Sequence, residues 1–332
     1  VRSILDGGAL MLSYLVRRLG GVVVVLLLVL TMVFLMLHAT PGGPETAYLG
    51  SNPTPEKRDA VMAQLGLDRP LWLQYLTFVG SVLTLDLGRS LTTGTPVTEL
   101  LGDRMLVTLE LGLVSFVVWT AVGMLAGALA AARRGRLLDG VVRVGSVVAL
   151  SIPSFWLGLV LVMIFGLYLP GVLPSSGWVP FTEDPVENLR SLVLPAFTLG
   201  IGAAAVIART LRTSMIEALD ADHVAFGRAL GLPERTILSR LALRNAVIPT
   251  LTVLGMMLGT FIGGAVLVEN VFNVPGVGQL VVTSFLAHDY PVAIAATVWT
   301  AGTFLVTTLV VDLLYFAINP RIRAQFVGGG SR

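Results

Sequence analysis

The sequence predicts an all-α membrane protein with six transmembrane helices and both termini in the cytoplasm. Three observations predict it. The 332-residue chain is 55% hydrophobic and 13% charged, with a mean hydropathy of +0.85, whereas a soluble domain is about 25% charged. The apolar residues come in long blocks, not in amphipathic stripes. Arginines crowd alternate links between those blocks, which is the positive-inside pattern.

The six blocks are roughly Leu19–Leu37, Val107–Ala132, Val141–Leu169, Leu192–Ala208, Ala246–Val268 and Val292–Ile318. The first follows Arg17 and Arg18, as the apolar region of a signal peptide would. At about 1.5 Å per residue it is long enough to cross a ~30 Å hydrocarbon core, and no small-x-small site follows closely. It reads as an uncleaved span.

Orientation follows from charge. Arg17 and Arg18 precede span one; Arg133, Arg134, Arg136 and Arg143 surround the link between spans two and three. Arg209, Arg212, Arg228, Arg235, Arg240 and Arg244 fill the link between spans four and five, and Arg321 and Arg323 follow span six. Alternating spans put all of these on one side, the cytoplasmic side. The opposite links lean acidic, with Glu45, Glu56, Asp59, Asp68, Asp86, Glu99 and Asp103 against fewer basic residues in the first, and Glu183, Asp184 and Glu187 against Arg190 in the second.

The domain organisation follows. Residues 1–106 form an N-terminal region of one span plus a large outer segment. Residues 107–322 form the transmembrane core, with a cytoplasmic loop at about 214–245, and 323–332 form a tail. In the outer segment Thr54 is placed to cap a helix that starts at Pro55 and Glu56, with Val61, Met62 and Leu65 on one stripe. Trp72–Leu83 is a more apolar helix suited to the membrane surface, the alternative being a partly ordered loop.

Several chemistries are excluded or left without support. The chain has no cysteine, so disulfides, thiolate metal sites and cysteine nucleophiles are excluded. His38, His223 and His288 show no metal-ligand spacing, and a net charge of +2 does not suggest bulk nucleic-acid binding. There is no GxxxxGK[ST] phosphate loop and no internal repeat of the kind secondary transporters carry. Intramembrane charges are few (Glu110, Arg143 and Asp312) and read better as snorkelling or paired groups than as a proton relay. Energy for transport therefore comes from outside the chain.

Two interrupted stretches are candidates for a path or gate. In "SIPSFWLG" Pro153 removes a backbone hydrogen bond and kinks span three, and Ser151 and Ser154 can re-satisfy freed carbonyls. That segment either lines a path or packs a kink between helices. "ENVFNVPGVGQLVVTSFLAHDYP" places a turn at Pro275, Gly276 and Gly278, and then a short apolar piece. That piece either re-enters the membrane as a pore rim or lies on its surface. "GMMLGTFIGG" (Gly255–Gly264) is a packing surface.

The most informative stretch is "GRALGLPER" (Gly227–Arg235), a helix ending at Leu230, a Gly-Leu-Pro turn, and a new helix from Glu234. Ala225, Phe226, Ala229, Leu230, Leu232, Ile237, Leu238 and Leu241 give both helices apolar faces, so the loop is more than a charged anchor. A DNA-reading helix–turn–helix is disfavoured, because the loop is tethered to the membrane at both ends and lacks a supporting core.

At these residues the sequence resembles the cytoplasmic coupling loop of binding-protein-dependent ABC permeases. "HVAFGRALGLPERTILSRLALRNAVIP" is closest to the B-type subunit of the dipeptide, oligopeptide and nickel permeases. The likeness continues through "LHATPGGP", "LGLDRPLWLQYL", "LDLGRSLTTGTPVTELL", "LSIPSFWLGLVL", "LVLPAFTLG", "FNVPGVGQLVVTSFLAHDYP" and "VDLLYFAINPRIR". It implies the transmembrane subunit of a type I ABC importer. The implied partners are a second homologous (C-type) permease, two cytoplasmic ATPase subunits that carry ATP and magnesium, and an extracytoplasmic substrate-binding protein. The implied cargo is a dipeptide or oligopeptide, or alternatively nickel or another small solute. The implied location is the bacterial cytoplasmic membrane. No cofactor is expected on this chain, nor any catalytic role. The ATPase-docking residues implied are Ala225, Phe226, Gly227, Arg228, Ala229, Gly231 and Leu232. The general permease pattern has Glu-Ala-Ala where this chain has Ala225, Phe226 and Gly227, while Gly231 matches. A stand-alone channel or secondary carrier is the alternative from a different class.

Overall fold

A computed structural model describes residues 2–39, 49 and 54–318. The "PGGP" exit of span one (Pro41–Pro44) and the tail with Arg321 and Arg323 lie outside the described residues. The described residues are helical throughout, apart from turns and one isolated bridge between Arg89 and Pro96. Among the described residues five helices are long and apolar enough to cross a membrane, and two bent helix pairs also qualify.

The chain divides into two compact bodies, one reaching Thr108 and resuming at Pro275, the other Leu109–Val274. The first body holds α1 (Arg2–Ala39), α2 (Pro55–Leu65), α3 (Leu71–Leu83), the start of α4 (Val97–Ala132), α11 (Val277–Leu286) and α12 (Tyr290–Ile318). Helix α2 starts directly after Thr54, and Gly66 at φ +65 ends it, the left-handed position glycine adopts without a Cβ penalty. Helices α1 and α12 pack together, and α3 lies against α1. Arg18 pairs with Asp312, so the carboxylate near the C-terminal end of α12 has its counter-charge on α1.

One carboxylate organises the connecting turns of this body. Asp289, 3% exposed, precedes α12 and accepts hydrogen bonds from Ser90 Oγ (2.5 Å), Thr92 Oγ1 (2.9 Å) and the backbone N–H of Leu91 (3.1 Å). Burial alone would raise its pKa, but the bonds from Ser90, Leu91 and Thr92 outweigh burial and hold it below the usual carboxylate range. A second tie is the N–H of Val277, which donates to Thr108 Oγ1 at 2.8 Å and so satisfies a free amide at the start of α11. Beneath these turns Val97, Leu101, Val277, Leu280, Val292 and Ala296 form a buried apolar cluster.

The second body is built around α7 (Pro185–Leu219). Asp184 caps it, its Oδ1 accepting from the N–H groups of Val186 and Glu187 at 3.0 Å each. Helices α5 (Leu137–Ser151), α6 (Ser154–Met163) and α10 (Arg244–Phe272) pack on it. The contact with α4 is backbone-close. A Cβ on Gly123 would lie 2.7 Å from the Ala204 carbonyl oxygen, and one on Gly127 would lie 2.6 Å from that of Ala208. This is a G-x-x-x-G face meeting alanines, the small-residue packing expected within lipid, where apolar burial does not drive helix association. Trp119 lies across Gly200 and donates from Nε1 to the Ala196 carbonyl at 2.8 Å.

Span three is more than kinked. Its halves, Leu137–Ser151 and Ser154–Tyr168, meet at 97°, with Ile152 and Pro153 extended between them. Pro153 cannot donate and disfavours a helical Ile152, so the first helix stops and a second begins. The bend leaves this stretch as a broken span or a re-entrant pair. The span expected at Ala246–Val268 is likewise part of a longer helical run from Glu234 to Phe272.

Candidate coupling surface and groove

The loop at residues 222–243 folds as two short helices on the second body. Helix α8 spans Asp222–Ala229. Its end is a Schellman motif: the N–H of Gly231 donates to the Arg228 carbonyl (2.9 Å) and that of Leu232 to the Gly227 carbonyl (3.2 Å). Gly231 holds φ +76, which this cap requires. Leu232 closes the motif by folding back on Gly227, its Cδ1 lying 3.3 Å from where a Cβ would stand. Arg228 bridges the turn to Glu234 at 3.2 Å. After α9 (Glu234–Thr236) the helix is π-type over Ile237–Leu243 and then runs into α10. π-Turns inside helices occur often at functional sites.

Burial sorts the loop residues. Val224, Gly227 and Ile237 are buried inward. Ala225, Arg228, Ala229 and Gly231 are exposed, and three large apolar side chains stand out: Phe226 at 66%, Leu230 at 65% and Leu232 at 39% exposed. Six of the seven residues expected to dock therefore face outward, while Gly227 holds the turn from inside. Beneath the loop, Ala131, Leu211, Met215, Ala242 and Ala246 form a buried cluster joining the ends of α4 and α7 to the π stretch and α10.

Two ion pairs brace the same region. Asp139, 2% exposed, takes Arg212 Nε at 2.5 Å and a second guanidinium nitrogen at 2.9 Å, and accepts the Gly135 N–H at 3.0 Å. Arg134 pairs with Asp220 at 2.8 Å. The turn between α4 and α5 is thus tied to the end of α7. Sequence reading did not single out Asp139. The available signal was one acid among four arginines in a short link.

A groove runs between α5 and α7. One part, about 600 Å³, is lined by Arg143, Val144, Val147, Val148, Arg209 and Arg212. A second part, about 430 Å³, adds Leu150, Val206, Thr210 and Ser214. Although α7 is the most enclosed of the candidate spans, it leaves Arg209, Thr213 and Glu217 exposed at helical spacing, in line with half-buried Gly202 and Val206. A stripe with arginine, threonine and glutamate is too polar for lipid and suits water, solute or a partner helix.

The residues expected in a path or gate divide between the bodies. Ser151 ends α5 and back-bonds to the Val147 carbonyl at 2.9 Å, Pro153 is exposed at the 97° break, and Ser154 opens α6. Pro275, Gly276 and Gly278 belong to the first body, where both glycines are buried at the start of α11. Glu110, read as snorkelling, accepts from Trp178 Nε1 at 3.0 Å and fixes the link before α7.

A polytopic helical bundle with an exposed apolar knob and a polar groove fits a membrane permease subunit. Comparison with known proteins agrees. Residues 123–324 match the model of the binding-protein-dependent transport system inner membrane component, and residues 11–112 match that of its N-terminal region. The chain belongs to this family. It is 36% identical over 316 residues to a dipeptide transport system permease protein of Lactococcus lactis subsp. cremoris, covering 94% of this chain and 100% of that one. It is 37% identical over 313 residues to a glutathione transport system permease protein of Escherichia coli O6:H1, covering 94% and 99%. It is 35% identical over 337 residues to the dipeptide permease of Escherichia coli K12, again covering 94% and 99%. The type I ABC importer fold that the sequence resemblance implied is therefore the fold of this chain.

Proposed function

We propose that this chain is one half of the channel of an ATP-driven importer of dipeptides or oligopeptides in the bacterial cytoplasmic membrane. It pairs with a second, homologous permease, takes solute from an extracytoplasmic binding protein, and is driven by two cytoplasmic ATPases that hold ATP and magnesium. Both termini and the 222–243 loop face the cytoplasm, in keeping with the arginine distribution. The observation that carries this reading is the knob of Phe226, Leu230 and Leu232. It is a folded, capped and apolar surface that a membrane protein has no reason to leave uncovered unless a soluble partner covers it. Peptide as cargo is supported by the relatives' peptide and glutathione transport.

In this mechanism the ATPases close on ATP and displace the seated knob. The rigid base beneath it passes the displacement to α7 and α10, and the α5–α7 groove with Ser151, Pro153 and Ser154 changes its access. Pro275, Gly276 and Gly278, at the start of α11, are a second candidate gate element. Co-expression with the neighbouring transporter subunits tests the reading. Phe226→Asp is expected to abolish recovery of the ATPases with the permease pair and to stop ATP-dependent dipeptide uptake into vesicles. Uptake by Phe226→Asp at the wild-type rate would overturn it.

A further inference from the structure

The first body contains a cavity that the transport mechanism does not use. It measures about 320 Å³, at the lower end of the ~300–1,000 Å³ typical of ligand sites. Its walls are apolar, from Phe34 and Leu37 of α1, Leu67, Phe78 of α3, and Pro291 and Ile294 of α12.

Its depth can be worked out from the helices. Arg18 of α1 pairs with Asp312 of α12, whereas Phe34, Leu37 and His38 of α1 and Tyr290, Pro291 and Ile294 of α12 line the cavity. At ~1.5 Å per residue, His38 lies about 30 Å from Arg18, and Tyr290 lies about 33 Å from Asp312. The hydrocarbon core is also about 30 Å thick. The ion pair and the cavity therefore mark opposite faces of the bilayer, and the cavity sits at headgroup level, opening toward acyl chains. Helix α3 agrees with this depth. Trp72 (65% exposed), Leu76 and Leu83 form an uncovered apolar stripe on the helix that also supplies Phe78, and tryptophan favours this interface.

The rim is built and cationic. His38 Nε2 meets Gln74 Oε1 at 3.0 Å, and Gln74 Nε2 donates to the carbonyls of Leu67 (3.1 Å) and Arg69 (2.7 Å). That network fixes the turn carrying Arg69, whose side chain lies over Gly66. Arg69 lines the cavity and is exposed, and no described residue forms an ion pair with its guanidinium.

We propose that this cavity seats one phospholipid, with an acyl chain against Phe34, Phe78 and Ile294 and the phosphate held by Arg69. Apolar walls, headgroup depth and an exposed guanidinium with no ion-pair partner among the described residues together match that amphiphile. With the cytoplasmic side set by the arginines, the lipid belongs to the outer leaflet. The seat is independent of which solute is transported.

The test titrates the delipidated, purified permease complex with palmitoyl-oleoyl phosphatidylglycerol and follows it by native mass spectrometry. One lipid should be retained more tightly than the rest. Arg69→Gln should weaken it about tenfold, as loss of a charge-assisted contact would, and Arg69→Lys should restore most of it. Ile294→Trp should abolish it by filling the cavity. Inorganic phosphate at millimolar concentration should not displace it; displacement would show an anion site without a lipid seat and overturn the proposal. Equal retention by wild type and Arg69→Gln would mean annular lipid only and would also overturn it. So would loss of binding-protein-stimulated ATPase activity in Arg69→Gln with lipid retention unchanged, which would reassign Arg69 to the binding protein. Arg69 is exposed, so its variants fold even if Ile294→Trp does not.

Discussion

Gly231 offers the sharpest test of the coupling surface. It holds φ +76, and a Cβ added there meets nothing within 4 Å. Within this chain any cost of substitution is therefore backbone cost and not a clash. A non-glycine residue in the left-handed region is less stable by about 1–2 kcal/mol, except for asparagine and aspartate, which visit it. That corresponds to a roughly 5–30-fold loss in the population of the capped turn. The two Schellman bonds would open, and Leu232 would leave Gly227. The assay is binding-protein-stimulated ATPase activity of the reconstituted complex, with assembly checked by gel filtration. Gly231→Asn should behave nearly as wild type. Gly231→Ala should lose stimulation several-fold, and Gly231→Val more, because a β-branched residue is worse at positive φ. Stimulation by Gly231→Val equal to wild type, in an intact complex, would refute the claim that this turn geometry transmits force.

Three further outcomes are expected. Asp289→Asn should lower stability by about 2–4 kcal/mol, since it weakens charge-assisted bonds from Ser90, Leu91 and Thr92. Because the folded-state pKa is depressed, the stabilisation is present above the unfolded value of about 3.9 and fades as pH falls through the lower folded value. Thermal unfolding of wild type should therefore weaken more in acid than that of Asp289→Asn. Arg212→Gln should cost about 3–5 kcal/mol by leaving Asp139 buried without its counter-charge, and Arg212→Lys should recover part of it; equal melting of wild type and Arg212→Gln would contradict this. Gly127→Ala should destabilise by about 1–3 kcal/mol, because its Cβ would press on the Ala208 backbone, whereas Gly112→Ala in the same helix meets nothing and should be neutral or better.

Much of this architecture was legible because membrane helices are written in composition. The spans at residues 19–37 and 292–318, the helices starting at Pro55 and near Trp72, and the turn at Gly231 follow from apolar length, proline and glycine chemistry. What was not legible depends on which residues meet. The Gly255–Gly264 stretch read as a packing surface, and Gly264 does meet Leu199 there, but the close backbone approach at Gly123 and Gly127 could not be read without knowing that Ala204 and Ala208 face them. The 97° break required knowing that no neighbouring group would restore a continuous helix at Pro153. Asp139 and Asp289 are ordinary link residues by sequence; burial and convergent donors make them structural.

The second body also constrains where motion can occur. A push on Phe226 enters a loop whose base, Val224 and Ile237, is fully buried, and then the close-packed cluster of Ala131, Leu211, Met215, Ala242 and Ala246. Packed interiors of small side chains have low compressibility and transmit displacement. The bidentate Asp139–Arg212 pair ties the start of α5 to α7, so that end of α5 must travel with them. Among the described residues the far end of α5 has no such ion pair. It ends at Ser151 and is followed by Ile152 and Pro153, where the helical bond pattern is interrupted. A rigid base, a clamped near end and an interrupted far end leave Ile152–Pro153 as the place where α5 can turn relative to α6. That junction borders the groove at Leu150, so a stroke delivered at the loop would be felt there as a change in groove width.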